Sequence, residues 1–186
     1  MNFLPSPSCI QNSLKCGTFR QTRHIQLLGL IGVNTAAYLY YKQASGPTKN
    51  NLRKAFTKEE GSSILGLATG HLFETNFTSL AINSALLFTL GHAHVAAYGI
   101  TSFWTVFGAS AIGGSAFSLT GDNKVSGATA GTAGVVAYNA FRKPLYFKRY
   151  APFALLIAAI LYGTQTGDRN LVGGVVGGYT AFLLAL

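Results

Sequence analysis

The chain has 186 residues, of which 49% are hydrophobic and only 10% are charged, and it contains 22 glycines. Because soluble domains carry about 25% charged residues, this composition excludes an ordinary water-exposed surface and indicates a polytopic membrane protein. The formal net charge is +9. The basic residues lie between apolar stretches and form no basic face interleaved with aromatics, so we expect no nucleic-acid partner.

Residues 1–23 are predicted to form a basic N-terminal extension, followed by a transmembrane domain at residues 24–186. The first 58 residues contain no Asp or Glu, which is typical of a mitochondrial import sequence. An ordinary basic flank that orients the first helix is the alternative. We expect the extension to be retained and held by a partner, because it has too little apolar surface to order itself. Its two cysteines, Cys9 and Cys16, lack metal-ligand spacing, so free thiols are favoured over a disulfide.

Six apolar segments are predicted to cross the membrane as helices, which gives an all-α fold class. They are residues 24–41, 78–90, 95–119, 125–141, 150–164 and 171–186. Residues 64–73 are predicted to be half-buried or re-entrant, because polar residues interrupt the apolar run that begins there. Residues 42–63 are too polar to cross a membrane.

Charge between the spans predicts their orientation. With six spans, both termini share one side, which carries seven basic and no acidic residues, against seven basic and four acidic on the other. The positive-inside rule then places both termini in the matrix or the cytoplasm. For the expected location in the mitochondrial inner membrane, this is the matrix side. Four basic residues in or beside the loop at 142–149 are candidates for binding anionic lipid head groups: Arg142, Lys143, Lys148 and Arg149.

Small residues recur at helical spacing in the last spans. Such spacing lets two backbones meet, and it favours helix packing over a binding groove. Two asparagines within apolar spans are expected to supply hydrogen bonds between helices or to loops. The predicted packing residues are Asn34, Asn83, Gly127, Gly131, Gly134, Gly173, Gly174, Gly177 and Gly178.

Four stretches together resemble the rhomboid family. They are "QLLGLIGVNTAAYLYY", "TGHLFETNFTSLAINSALLFTLG", "GATAGTAGVVAY" and "LVGGVVGGYTAFLL", which look like the first, second, fourth and sixth helices of rhomboids. The resemblance covers about residues 27–183. It implies a six-transmembrane-helix rhomboid-like bundle with short glycine-rich helices 4 and 6.

The resemblance also implies where catalytic residues would stand, and those positions are degenerate. Rhomboid proteases use a Ser on the fourth helix and a His base on the sixth. Here Thr129 and Leu171 occupy these positions, and leucine cannot accept a proton. The two His positions of the second helix fall on Glu74 and Ser79, and a carboxylate at Glu74 would oppose an oxyanion. We therefore predict no enzyme activity and interpret the Thr129 hydroxyl as a remnant that packs, with a backbone carbonyl four residues earlier as its expected partner.

The four histidines are His24, His71, His92 and His94. Metal or haem ligation by His92 and His94 is conceivable, but at i, i+2 in a predicted loop they are interpreted as interfacial polar residues. We expect no metal and no cofactor.

These observations predict a catalytically inactive rhomboid-like protein that acts as an accessory subunit of a mitochondrial inner-membrane complex, either the respiratory chain or ATP synthase. Its predicted partners are membrane lipids and neighbouring membrane subunits. The alternatives are an active intramembrane protease with atypical residues and a derlin-like client-handling protein. A transporter is disfavoured, because few polar residues interrupt the spans.

Overall fold

The computed structural model describes residues 7–56, 69–118, 128–142 and 169–184, together with residues 154, 157–158 and 160–161. Every regular element in these residues is helical. The α-helices are α1 (Pro7–Gln43), α2 (Gly46–Phe56), α3 (Phe77–Leu86), α4 (His92–Ser118), α5 (Thr129–Arg142) and α6 (Arg169–Leu184). A short 3₁₀ turn covers Gly70–Leu72, and a π-helical segment, Leu87–Gly91, joins α3 to α4.

The all-helical character agrees with the prediction, but the six-transmembrane-helix rhomboid-like bundle is wrong for the described part of the chain. One helical run there, Phe77–Phe117, is long and apolar enough to cross a membrane, and Leu171–Leu184 is apolar but shorter. Helix α5 has 14 residues and α6 has 16, whereas a span needs about 20. In α1, the polar residues His24, Gln26 and Asn34 dilute the apolar stretch.

The boundaries of the elements also differ from the predicted spans. Helix α1 continues through residue 23, where the predicted extension ends, and α2 forms within the polar stretch after the first span. The predicted second and third spans lie in one run from α3 through α4. The predicted fifth span lies mostly outside the described residues, as do Gly127, Lys143, Lys148 and Arg149.

The run from α3 to α4 reverses direction at Gly99. This glycine has φ 86° and ψ 166°, a conformation that is essentially restricted to glycine. Across it, the ring of His94 lies 3.1 Å from the hydroxyl of Ser102. A straight helix would separate residues eight apart by about 12 Å. The residues on either side of Gly99 therefore form two helical arms that lie side by side.

Contacts with α1 define two ends of the bundle. At the His24 end, His24 stacks on His92 at 3.5 Å between ring centroids, and the Trp104 indole N–H donates to Gln26 over 3.0 Å. At the Tyr41 end, Tyr41 packs edge-on against Phe73 at 5.2 Å. Helix α5 runs from the Tyr41 end to the His24 end.

The core is a three-helix interface of α4, α5 and α6, which make the most extensive contacts in the described chain. Its centre combines large side chains of α4, Phe103 and Phe107, with small residues of α5 and α6. Residues 130–140 of α5 are all buried, so α5 is the central helix of the bundle.

The two glycine pairs of α6 face different partners. A Cβ added at Gly173 or Gly177 would meet α4, at 2.6 Å from the Gly113 carbonyl oxygen or 2.7 Å from the Ser110 Cα. A Cβ added at Gly174 or Gly178 would collide with the backbone of α5. The doubled glycines therefore let α6 lie between two helices at backbone contact distance.

Candidate functional site

The candidate site lies at the Tyr41 end, where α3 meets the start of α5. The backbone of Phe73 is extended, with φ −127° and ψ 103°, so the segment after the 3₁₀ turn carries Glu74 towards the bundle interior. Asn83 projects from the middle of α3, and Thr129 is the first residue of α5. Two of the predicted degenerate positions, Glu74 and Thr129, thus meet at Asn83, which is one of the predicted packing residues.

One carboxylate oxygen accepts two hydrogen bonds in this site. Asn83 Nδ2 donates to Glu74 Oε1 over 2.7 Å, and the backbone N–H of Ala128 donates to the same oxygen over 2.9 Å. Asn83 Nδ2 also donates to Thr129 Oγ1 over 3.0 Å. The amide of Asn83 has two N–H groups, so these two bonds use its full donor capacity.

Glu74 caps the N-terminus of helix α5, although it lies 54 positions before Ala128 in the sequence. The carbonyl of Ala128 accepts the first helical bond of α5, from the N–H of Thr132 over 2.9 Å, which makes Ala128 the N-cap residue. Alanine has no side-chain acceptor, and Glu74 binds the N–H of this residue as the glutamate of a capping box does. The helix dipole also favours a carboxylate at this position.

Two of the three side chains in this site are buried, and Thr129 is half-buried. Glu74 is 2% exposed and Asn83 is 5% exposed. Two donors at 2.7–2.9 Å around one oxygen are what an oxyanion hole provides, but here the oxygen is the protein's own. The Thr129 hydroxyl accepts from Asn83, whereas the expected partner was a carbonyl four residues earlier, at a position outside the described residues.

The remaining degenerate positions supply no proton acceptor to Thr129. The buried Leu171 packs with alanines of α5 and with Val175 in an apolar cluster, as expected for a hydrophobic residue. Ser79 is half-buried on α3.

His71 forms a separate pair that the sequence did not indicate. Its Nε2 lies 2.8 Å from the hydroxyl of Ser115 in α4, and its ring is buried in the 3₁₀ turn. The pairing depends on a contact between residues 44 positions apart, so no local sequence pattern marks it.

The interpretation of His94 as an interfacial polar residue is wrong. It was expected at a membrane interface, but it is fully buried at the His24 end. Its two ring nitrogens lie 3.2 Å from Asn139 Oδ1 and 3.1 Å from Ser102 Oγ, and Tyr98 and Tyr138 pack against the ring. The reversal at Gly99 encloses it. His94 therefore joins both helical arms to α5.

Outside α6 and the Glu74 site, the predicted packing residues that the structure describes are two glycines of α5 and Asn34 of α1. Gly131 and Gly134 lie against α4, where a Cβ at Gly131 would come within 2.5 Å of the Phe107 ring and one at Gly134 would collide with Ser110. Asn34 is buried, yet its Oδ1 has no hydrogen-bond partner among the described residues.

Arg142 is the one predicted head-group residue that the structure describes. Its guanidinium lies 5.9 Å from the Tyr138 ring centroid.

Within the described ranges, no three His, Cys, Asp or Glu side chains are grouped in a way that could hold a metal ion. No protein-family model, no curated protein and no solved structure matches this chain.

Proposed function

We propose that this protein is a catalytically inactive, rhomboid-related membrane protein that serves as a structural subunit of a mitochondrial inner-membrane complex, in the respiratory chain or ATP synthase. The observation that carries the proposal is the closed network of Glu74, Asn83 and Thr129. These residues stand where the resemblance puts catalytic groups, and every hydrogen bond described among them stabilises the fold.

The outer surface supports a membrane location. Large apolar side chains are exposed on α1, α3, α4 and α6, including Leu28, Val33, Phe77, Ile82, Ile112, Val176 and Leu184. Ile112 is 73% exposed and Leu184 is 85% exposed. Soluble monomers rarely expose a continuous apolar surface of this kind, whereas lipid tails or neighbouring membrane helices cover it at no cost in desolvation.

A groove between α4 and α6 supports a role in assembly. It has a volume of about 390 Å³, and its walls include Ala109, Ile112, Val176 and Ala181. The hydroxyls of Thr105 and Thr180, also in its walls, donate to backbone carbonyls of their own helices. The groove therefore offers an apolar face on which a neighbouring membrane helix can pack.

Purification through a C-terminal tag in mild detergent, followed by a native gel and mass spectrometry, tests the proposal. We expect the protein to migrate with respiratory-chain or ATP-synthase subunits in a fixed ratio. A small free species with no such partners would contradict the structural role. An untagged strain and a tagged unrelated membrane protein of similar size control for carry-over.

One observation favours a second candidate function, a serine hydrolase that uses Ser115 and His71. A hydroxyl 2.8 Å from an imidazole nitrogen is the arrangement in which a base activates a nucleophile. A fluorophosphonate probe distinguishes the two functions. Our proposal predicts no labelling of the purified protein, whereas labelling that is lost in Ser115→Ala and retained in Thr129→Ala would establish the hydrolase.

A further inference from the structure

We propose that the Tyr41 end carries a binding surface for the head groups of anionic phospholipids, formed by α2 and the end of α1. Its cationic residues, hereafter the basic surface, are Lys42, Lys49, Arg53 and Lys54. This inference rests on the proposed membrane location. It concerns residues other than the head-group candidates in the 142–149 loop.

Aromatic contacts fix α2 against the bundle. Only two residues separate α1 from α2, and the N–H of Lys49 donates to the Ser45 carbonyl over 2.8 Å. At the other end of α2, Phe56 stacks on Phe73 with 5.1 Å between ring centroids. Phe73 in turn packs edge-on against Tyr41. The basic surface therefore has a fixed position beside the last turn of α1.

The charge of this region is one-sided. Residues 42–60 contain five basic and two acidic residues, a net charge of +3, and no acid precedes Glu59 in the chain. Among the residues that the structure describes, the one acid is Glu74, and it is buried in the network with Asn83 and Ala128. Lys42 and Lys54 are exposed at this end.

The neighbours of the basic surface are those of a membrane interface. The ammonium groups of Lys42 and Lys49 lie 5.5 Å and 5.0 Å from the ring centroids of Tyr38 and Tyr41. Tyrosines and lysines in this arrangement mark the level of lipid head groups. Leu39 and Tyr40, on the same turns of α1, and Phe77 at the start of α3 are exposed apolar residues beside them.

Together, these features identify the class of ligand. Clusters of four or more Lys or Arg beside an apolar helix attract anionic lipids. A free phosphate satisfies the cations but leaves the apolar side chains uncovered. A phospholipid supplies a phosphate at the height of the ammonium groups and acyl chains along α1, so it is the ligand that the whole surface fits.

The Arg142 region lies at the opposite end of the bundle, because α5 runs from Thr129 at the Glu74 site to Arg142 beside Tyr138. A substitution that changes the charge of the basic surface therefore leaves the head-group candidates of the 142–149 loop unaltered. This separation allows the two ends to be tested independently.

The experiment uses the full chain reconstituted in phosphatidylcholine bilayers that contain spin-labelled phosphatidylglycerol or spin-labelled phosphatidylcholine. The measured quantity is the ratio of the two association constants at the protein surface. The test variant is Lys42→Gln/Lys54→Gln, since both side chains are exposed and neither change creates a cavity. Lys42→Arg/Lys54→Arg, which keeps both charges, is the matched control.

We expect the wild-type protein and the arginine variant to prefer phosphatidylglycerol, and we expect the glutamine variant to lose up to about fivefold of that preference per charge removed. High salt should reduce the preference in the wild-type protein. An unchanged preference in the glutamine variant would overturn the inference. The inference would also be overturned if inorganic phosphate competed equally well with phosphatidylglycerol for the basic surface, because this result would indicate a site for free phosphate.

Extraction with alkaline carbonate separates this inference from the proposed function. A protein that resists extraction but shows no lipid preference contradicts the basic surface alone. A protein that carbonate releases contradicts the membrane location, and the basic surface with it.

Discussion

Among single residues, Glu74 is the acidic side chain on which the interior of the Tyr41 end depends. Two donors, Asn83 Nδ2 and the Ala128 N–H, converge on its Oε1. If the carboxylate were absent, both donors would remain buried without their acceptor. A buried unsatisfied donor costs about 1–3 kcal/mol, so this interaction makes a large contribution to stability.

Glu74→Ala is therefore expected to lower the free energy of unfolding by about 2–4 kcal/mol, since it removes the acceptor and leaves a cavity. Glu74→Gln keeps an acceptor oxygen of the same shape, and we expect a smaller loss, of about 1 kcal/mol. Thermal unfolding of the two purified variants in one detergent measures the difference. Equal melting temperatures for Glu74→Ala and the wild-type protein would show that the network carries no stability.

The residues of this network could be predicted from the sequence, but their bonding could not. Glu74, Asn83 and Thr129 were identified by their positions in the rhomboid-like pattern. The resemblance predicts that Thr129 has no base, yet it contains no information on where Glu74 points. The capping of α5 depends on the extended backbone at Phe73, which brings residue 74 to residue 128 across 54 positions.

At the scale of the elements, glycine positions control how closely α4, α5 and α6 approach. A side chain at Gly178 would meet the Gly134 backbone, including its carbonyl carbon at 2.7 Å, and a backbone atom cannot turn aside as a flexible side chain can. Gly29 on α1, in contrast, has open space where its Cβ would lie. The two glycines therefore provide a matched comparison within one protein.

Gly178→Ala is expected to destabilise the protein by about 2–4 kcal/mol. This loss equals or exceeds the usual cost of overpacking a core, because the added Cβ meets backbone atoms. Gly29→Ala should raise stability by about 0.5–1 kcal/mol, because alanine favours a helix over glycine. The melting temperatures of both variants in the same detergent test this pair. A Gly178→Ala protein as stable as Gly29→Ala would contradict the close packing of α6 on α5.

The reversal between the two helical arms gives a second prediction at this scale. At φ 86° and ψ 166°, Gly99→Ala places a side chain in a strained conformation, with an expected loss of about 1–3 kcal/mol. Gly108→Ala, in a regular part of α4 with open space around its Cβ, is the control. If both alanine variants unfold at the same temperature, the chain does not reverse at Gly99.

The sequence predicted the glycine register of α6 but missed the environment of His94. Small residues four apart indicate a packing face in any helix, so Gly174 and Gly178 could be selected without coordinates. Burial of His94 depends on the reversal at Gly99, and an isolated glycine in an apolar run looks the same whether it turns the chain or packs a helix. The partners of His94, Ser102 and Asn139, follow from that reversal.

At the scale of the whole molecule, the helical class followed from composition, but the number of spans did not. Apolar stretches with polar interruptions, such as the one containing Asn34, fall below the hydropathy of a membrane span even where their outer face is apolar. Conversely, the run Phe77–Phe117 passes as one span, although its two arms turn back on each other. The mean hydropathy of a segment averages over all faces of the helix, whereas each face packs against a different environment.

We propose that the cell uses the fold of this protein and not a reaction that it catalyses. One experiment replaces the native gene with Ser115→Ala/Thr129→Ala, which removes the hydroxyls of the two candidate nucleophiles, and in parallel with Gly178→Leu, which blocks the approach of α6 to α5. The measurement is the amount of the host complex on a native gel. We expect normal assembly with the double alanine variant and loss of assembly with Gly178→Leu. If the double alanine variant accumulates normally but the host complex is lost from the gel, the protein acts through one of these hydroxyls and not through its fold alone.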